Sequence, residues 1–213
     1  MTCMAWVKHS TTSIANALVV INGGHITSGA DFRYGFFIQD TGDVACFIND
    51  VQTVFDTSLA ASTWVHIAMI YDGGLAAGSR VKLMINGSVF GSGSNTQTAI
   101  TSGGDGITIG TADTNRSQAS SNRYFDGEID DVRIWTRALG ESEVTAIYND
   151  GCDDTINGAN LGGWWKFDND ATDSSGNGND LGGGSLGTPT FTTDYAFSCP
   201  VAKKMLCLLG IGV

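Results

Sequence analysis

Arg80-Val81-Lys82-Leu83-Met84-Ile85-Asn86-Gly87-Ser88-Val89-Phe90 is the stretch that decides the fold. Apolar side chains recur at every second position from Val81 to Ile85, which is the period of a pleated strand with one buried face. Asn86-Gly87 then supplies the two residues that best tolerate positive φ at both centres of a tight hairpin turn, and Ser88-Val89-Phe90 leads the chain back. The same reading extends outward. Asp31 to Ile38 carries Phe32, Tyr34, Phe36 and Ile38 on one face, Asp40-Thr41-Gly42-Asp43 reads as a turn, and Val44, Cys46 and Ile48 continue the alternation on the return. Thr2 to Val7, Trp64 to Tyr71, Ile107 to Gly110 and Phe125 to Trp135 read as further strands. One short helix is expected after Leu139: Gly140 stands at the N-cap, Glu143 at the third helical position, Leu139 and Val144 are spaced as a hydrophobic staple, and Gly151 would end it.

The bulk properties agree. A chain of 213 residues suits a single β-sandwich, and no linker or internal repeat divides it, so residues 1–213 are expected to form one domain. There are 29 glycines against 2 prolines, a balance that supplies many tight turns rather than a flexible linker. The formal net charge of −11 argues against a nucleic-acid partner, because phosphate binding needs a Lys/Arg surface. It suits solubility and the binding of hard cations.

The five cysteines form no C-x-x-C pair, which argues against a zinc ribbon. Cys46 lies in an apolar strand and reads as a buried thiol, whereas Cys152 and Cys199 flank polar loops and could pair. No leader opens the sequence, since Met1 runs straight into a strand. A mature form or a protein assembled inside its host, as virion proteins are, would both begin this way. The apolar tail at 201–213 is too short to span a bilayer as a helix, and reads as a docked strand or a contact with another subunit.

Three segments together carry a resemblance. Trp64-Val65-His66-Ile67-Ala68-Met69-Ile70-Tyr71-Asp72-Gly73, Val81 to Gly87, and Phe125-Asp126-Gly127-Glu128-Ile129-Asp130-Asp131-Val132-Arg133-Ile134-Trp135-Thr136-Arg137-Ala138-Leu139 are similar, in order and spacing, to the laminin-G-like, concanavalin-A-like jelly rolls. The resemblance implies an all-β jelly-roll sandwich of two antiparallel sheets over roughly residues 1–150. One departure stands out. The segment with which such domains usually open is found here near the other end, over 161–200, as Trp164-Trp165-Lys166-Phe167-Asp168 followed by Asp173-Ser174-Ser175-Gly176-Asn177-Gly178-Asn179-Asp180. The chain is therefore either circularly permuted or exchanges terminal strands with a neighbour, and the latter would make a homo-oligomer or larger assembly.

Each candidate site has a plainer alternative. Glu128-Ile129-Asp130 resembles the run that retaining glucanases of this broad fold carry on one strand. Such enzymes need two carboxyl groups about 5 Å apart, and Val132 and Arg133 stand where the second glutamate belongs. No catalytic residue is assigned; Asp130 and Asp131 would instead satisfy polar partners inside the sandwich. Asp173, Asn177 and Asn179, with Asp131 as a further carboxylate, offer the oxygen ligands that a structural Ca2+ takes, and equally describe an Asx-rich turn without an ion. His66 reads as a packed, hydrogen-bonded histidine, and no nucleophile elbow, phosphate loop or zinc motif is present. For ligand contact the aromatics lead. In Trp164-Trp165 neighbouring side chains of a strand point to opposite faces, so one must leave the main core unless something covers it. The loops 92–106 and 111–123, ending at Arg123, would add polar partners for sugar hydroxyls.

The expectation is a non-catalytic recognition or adhesion module for glycans on a cell exterior or virion surface. The alternative is a structural virion protein, a capsid decoration or tail component, acting through subunit packing; a glycoside hydrolase lacks its second acid.

Overall fold

The computed structural model describes residues 1–10, 17–23, 32–101, 106–111, 125–150, 158–182, 190–192, 194, 196 and 206–208. The strands are β1 (Thr2–His9), β2 (Ala17–Gly23), β3 (Phe32–Ile38), β4 (Val44–Ile48), β5 (Val51–Phe55), β6 (Val65–Tyr71), β7 (Val81–Ile85), β8 (Ser88–Gly93), β9 (Ile107–Ile109), β10 (Gly127–Trp135), β11 (Leu161–Trp165), β12 (Thr190–Thr192) and β13 (Leu206–Leu208), with one helix, α1 (Glu141–Asn149). They form two antiparallel sheets. The smaller has five strands in the order β5-β4-β3-β2-β9. In the larger, of eight strands, β10-β1-β6-β7-β8 run side by side. The far edge of β10 is shared: β11 pairs along Val132 to Trp135, and β13, with β12 beyond it, pairs at Glu128 and Ile129. This is the expected two-sheet jelly-roll sandwich.

The alternation read from the sequence is what closes the two layers. Cys3, Ala5, Val7, Ile67, Met69, Val81 and Leu83 of the large sheet meet Tyr34, Phe36, Ile38, Val44, Cys46 and Ile48 of the small one in a single core. Cys3 and Cys46 are free thiols inside it, and burial raises the pKa of both. Cys152 and Cys199 lie outside the described residues. The Asn86-Gly87 turn has φ of 48° and 72°, as the hairpin requires.

Phe32 departs from expectation. The ladder slips between Asn22, opposite Tyr34, and Gly23, opposite Phe32, so the period of two breaks there. Phe32 consequently leaves the core face and packs on Phe47 at 4.9 Å between ring centroids, with Phe37 on the same ring at 6.1 Å.

Helix α1 starts as its sequence foretells. Glu143 Oε2 accepts the Gly140 N–H at 2.8 Å, and the Glu143 N–H returns to the Gly140 carbonyl at 3.0 Å. Val144 and Ile147 of α1 pack with Leu139 against Met4, Ala68, Ile70, Met84 and Trp135, the outward side chains of the large sheet. The helix thus roofs one half of that sheet's outer face and leaves the other half to polar and aromatic residues. The segment at 161–182 packs on its own sandwich through β11.

Candidate functional site

A bulge in β10 sets the chemistry of the outer face. Met4 pairs with Arg133 and Trp6 with Asp130, so two residues, Asp131 and Val132, oppose Ala5 alone. Asp131 takes a φ of 48° as the extra residue. The phase shift keeps Ile129, Val132 and Ile134 in the core while Asp131 joins Arg133 away from it. Without the bulge, regular alternation would drive the Asp131 carboxylate into the apolar interior.

Beside the apolar cluster under α1 the outer face carries two rows. In the first, Trp6 of β1 lies between His66 of β6 and Asp130 of β10. The imidazole sits 5.3 Å from the Trp6 ring and 5.7 Å from Tyr148 of α1, which itself stacks on Trp6 at 5.4 Å. His66 is packed as expected, but neither ring nitrogen has a hydrogen-bond partner among the described residues. Burial, with Asp131 pulling up and Arg133 pushing down, lowers its pKa to about 4. In the second row Lys8 pairs with Glu128 at 2.8 Å. Asp194, between β12 and β13, accepts hydrogen bonds from Lys8 Nζ and, at 3.1 Å, from Trp64 Nε1. Lys8, Trp64 and Glu128 are half-buried, so this row is open to solvent where the first is closed.

The residues expected to bind ligand lie elsewhere. Trp165 is a core residue; its Nε1 donates to the Asn179 carbonyl at 2.9 Å, and its ring lies where a side chain on Gly163 would have to go. Trp164 does leave the main core, but it is covered. Its Nε1 donates to Asp131 Oδ1 at 2.6 Å, and its ring lies 4.2 Å from the Arg133 guanidinium and 4.0 Å from the Lys166 ammonium. Both indoles are therefore buried, Trp165 in the core and Trp164 among Asp131, Arg133 and Lys166. Arg123 lies outside the described residues.

The expected cation ligands are likewise engaged. Asp131 forks onto Arg133 Nε and Nη2, both at 3.0 Å. Asp173 accepts the backbone N–H groups of Trp164, Ser175 and Asn179. Burial raises the Asp173 pKa, but the bonds from Ser175, Trp164 and Asn179 outweigh it and hold the carboxyl below its ordinary value. Asn177 and Asn179 turn their amide nitrogens to the carbonyls of Leu161 and Gly162. No cluster of three His, Cys, Asp or Glu side chains suited to a metal occurs among the described residues.

Trp64, Lys8 and Asp194 were not read as a site from the sequence. The signal was there in part: if Cys3, Ala5 and Val7 face inward, Trp6 and Lys8 must face outward. The partnership with Asp194, 186 positions away, left no local trace.

Known proteins place this geometry. A laminin-G-type family model, described as the concanavalin A-like lectin/glucanases superfamily, matches residues 1–145. A candidate carbohydrate-binding protein from Bacteroides ovatus has a TM-score of 0.62 at 17% identity, over 83% of this chain and 49% of that one. The present chain thus spans about half of that protein. The CBM40 of Ruminococcus gnavus IT-sialidase, bound to alpha2,3 sialyllactose, superposes with a TM-score of 0.55 at 18% identity, over 69% of this chain and 81% of that one. The heptameric SAP-like pentraxin of Limulus polyphemus gives 0.51 at 16% identity, over 69% and 68%. At these identities the likeness is one of fold. No curated protein sequence matches the chain.

Proposed function

Given that the chain belongs to the concanavalin A-like lectin/glucanases superfamily, we propose that it is a non-catalytic carbohydrate-recognition module. The observation that carries this reading is the Trp64–Lys8–Glu128 row: a half-exposed indole, an ammonium and a carboxylate side by side on a rigid sheet face. A sugar needs an aromatic ring for its C–H face and polar groups at fixed positions for its hydroxyls. The names borne by the Bacteroides and Ruminococcus proteins support the same reading.

Hydrolysis fits the site poorly. A retaining mechanism needs two carboxyl groups about 5 Å apart, flanking a bond they can both reach. Asp130, Asp131 and Arg133 are all buried, so Glu128 is the carboxylate of this strand left to meet a sugar, and Lys8 already neutralises it. Cell exterior or virion surface is where such a module would act. No described helix is long and apolar enough to cross a membrane.

The test is a glycan array probed with the wild type and Trp64→Ala. Binding to at least one glycan class, lost in the variant and without release of cleaved product, is the expected result. Failure to bind any glycan overturns the proposal.

One observation favours a second reading, a structural role through subunit packing. Strands β5 and β8 each stand at an edge of their sheet. Three of the four large apolar side chains exposed among the described residues, Val54, Val89 and Phe90, lie on them. Neither strand carries a charge or a proline, the usual guards of an open edge. Sedimentation velocity decides it: self-association abolished by Phe90→Asp supports assembly, and a monomer at all concentrations removes it.

Calcium at the 173–180 loop stays a proposal. It would require Asn177 and Asn179 to present oxygen in place of nitrogen. A calcium-dependent rise in Tm, absent from Asp173→Asn, is its test.

A further inference from the structure

We propose that Lys8 and Trp64 form a subsite for the carboxylate of an acidic sugar, occupied in this chain by its own Asp194. The proposal rests on the carbohydrate reading above and names the ligand class of that site. Its geometry is that of two-point carboxylate recognition: Lys8 Nζ serves Oδ2 of Asp194 and Trp64 Nε1 serves Oδ1, so each oxygen has its own donor. The donors come from β1 and from the residue preceding β6, in the middle of the large sheet, whereas the carboxylate follows β12, the short strand at its margin.

The tether that brings Asp194 is slight. β12 has three residues and reaches the body of the sheet through β13, which pairs with β10 at Glu128 and Ile129. The Asp194 side chain is 48% exposed. Its carboxyl is held below the usual range by Lys8 and then Trp64, so it is an anion when it occupies the subsite. Glu128 shares the same ammonium, so two carboxylates already face one cation and a third would meet net negative charge. An external acid must therefore displace Asp194 rather than join it. The half-exposed Trp64 ring beside that carboxylate offers the C–H stacking surface that separates an acidic sugar from a simple anion.

An intramolecular competitor acts at an effective concentration of roughly millimolar, so its removal should show as tighter binding. Calorimetric titration with sialyllactose, a galacturonate oligomer and lactose, on the wild type, Asp194→Ala, Lys8→Met and Lys8→Arg, tests this. The expected result is that Asp194→Ala tightens at least one acidic probe by about tenfold and leaves lactose unchanged. Adding Lys8→Met should cancel the gain, and Lys8→Arg should keep most of it. Whichever acidic probe responds names the sugar, sialic or uronic.

A second readout needs no complete glycan. In Asp194→Ala, sodium glucuronate should move the indole N–H resonance of Trp64 and spare those of the buried tryptophans. An equal gain for lactose, or an acidic probe indifferent to Asp194→Ala, overturns the inference while leaving sugar recognition intact. Absence of binding by every probe and variant, with a motionless Trp64 resonance, overturns both.

Discussion

Trp164 Nε1 donates to Asp131 Oδ1 at 2.6 Å, and the same carboxylate forks onto Arg133, whose guanidinium lies 4.2 Å from the Trp164 ring. One indole, one carboxylate and one guanidinium thus meet while buried, on the outer face of a sheet. The bulge at Asp131 makes the meeting possible.

Breaking that trio takes a carboxylate away from a buried guanidinium. Asp131→Ala is expected to cost about 3–5 kcal/mol, because the buried Arg133 guanidinium loses the two-point bond to this carboxylate. Asp131→Asn keeps a residue tolerant of positive φ and so isolates the charge from the backbone conformation. Urea unfolding of both variants measures the difference; equal stability to the wild type would contradict the arrangement.

His66 makes stability depend on pH in a defined window. Its pKa is about 4 in the folded chain and about 6.5 when unfolded. Between these values the unfolded state holds the extra proton, so stability rises with pH across the window and falls as pH drops from about 6.5 towards 4. The loss is on the order of a few kcal/mol, because holding one fewer proton than the unfolded chain costs about 1.4 kcal/mol for every tenfold rise in proton concentration. His66→Leu should flatten the slope in that window alone, read from denaturant midpoints at closely spaced pH values.

The Glu143 carboxyl titrates in a lower window. Arg137 and then the Gly140 N–H hold its pKa to about 2, so its stabilisation is complete above the ordinary value near 4.5 and is lost as pH falls through 2. The pair with Arg137 is partly exposed and screened by solvent and salt, so Glu143→Gln should cost no more than about 1 kcal/mol. The cost should shrink at high salt, which thermal melts at two ionic strengths will show.

Gly87 couples the hairpin to the helix. Its φ is 72°, and a Cβ there would stand 2.6 Å from Cδ1 of Tyr148. Gly87→Ala is expected to destabilise by about 2–4 kcal/mol from strain and overpacking together. Because Tyr148 also covers Trp6 and His66, hydrogen exchange should quicken in α1 before it does in β3 and β4. Uniform quickening would mean that the helix and the sheet open together.

Much of this architecture was legible in the one-dimensional pattern. Alternation along β3, β4 and β7 named core side chains, Asn86-Gly87 named the turn, and Gly140 with Glu143 named the start of α1. These are local effects: a pleat, a positive φ and a cap each act within a few residues, so the neighbours that decide them are adjacent in sequence. Phe32 escaped the pattern because a slip against Asn22 and Gly23 moved it to the other face.

The site was less legible for the same reason in reverse. Whether Trp164 and Trp165 meet solvent depends on which side chains from elsewhere pack on them, Asp131 and Arg133 for Trp164, and a strand's alternation says which side a residue faces but not what covers that side. Lys8, Trp64 and Asp194 come together from positions 8, 64 and 194 only once β1, β6 and β12 take their places around the large sheet. The sequence alone therefore determined the strands, the turn and the helix start, since those are settled by short-range sterics and burial. The tertiary structure alone decided which indoles are core and which carboxylate meets which cation, because charge and cover act between groups that the chain brings together from a distance.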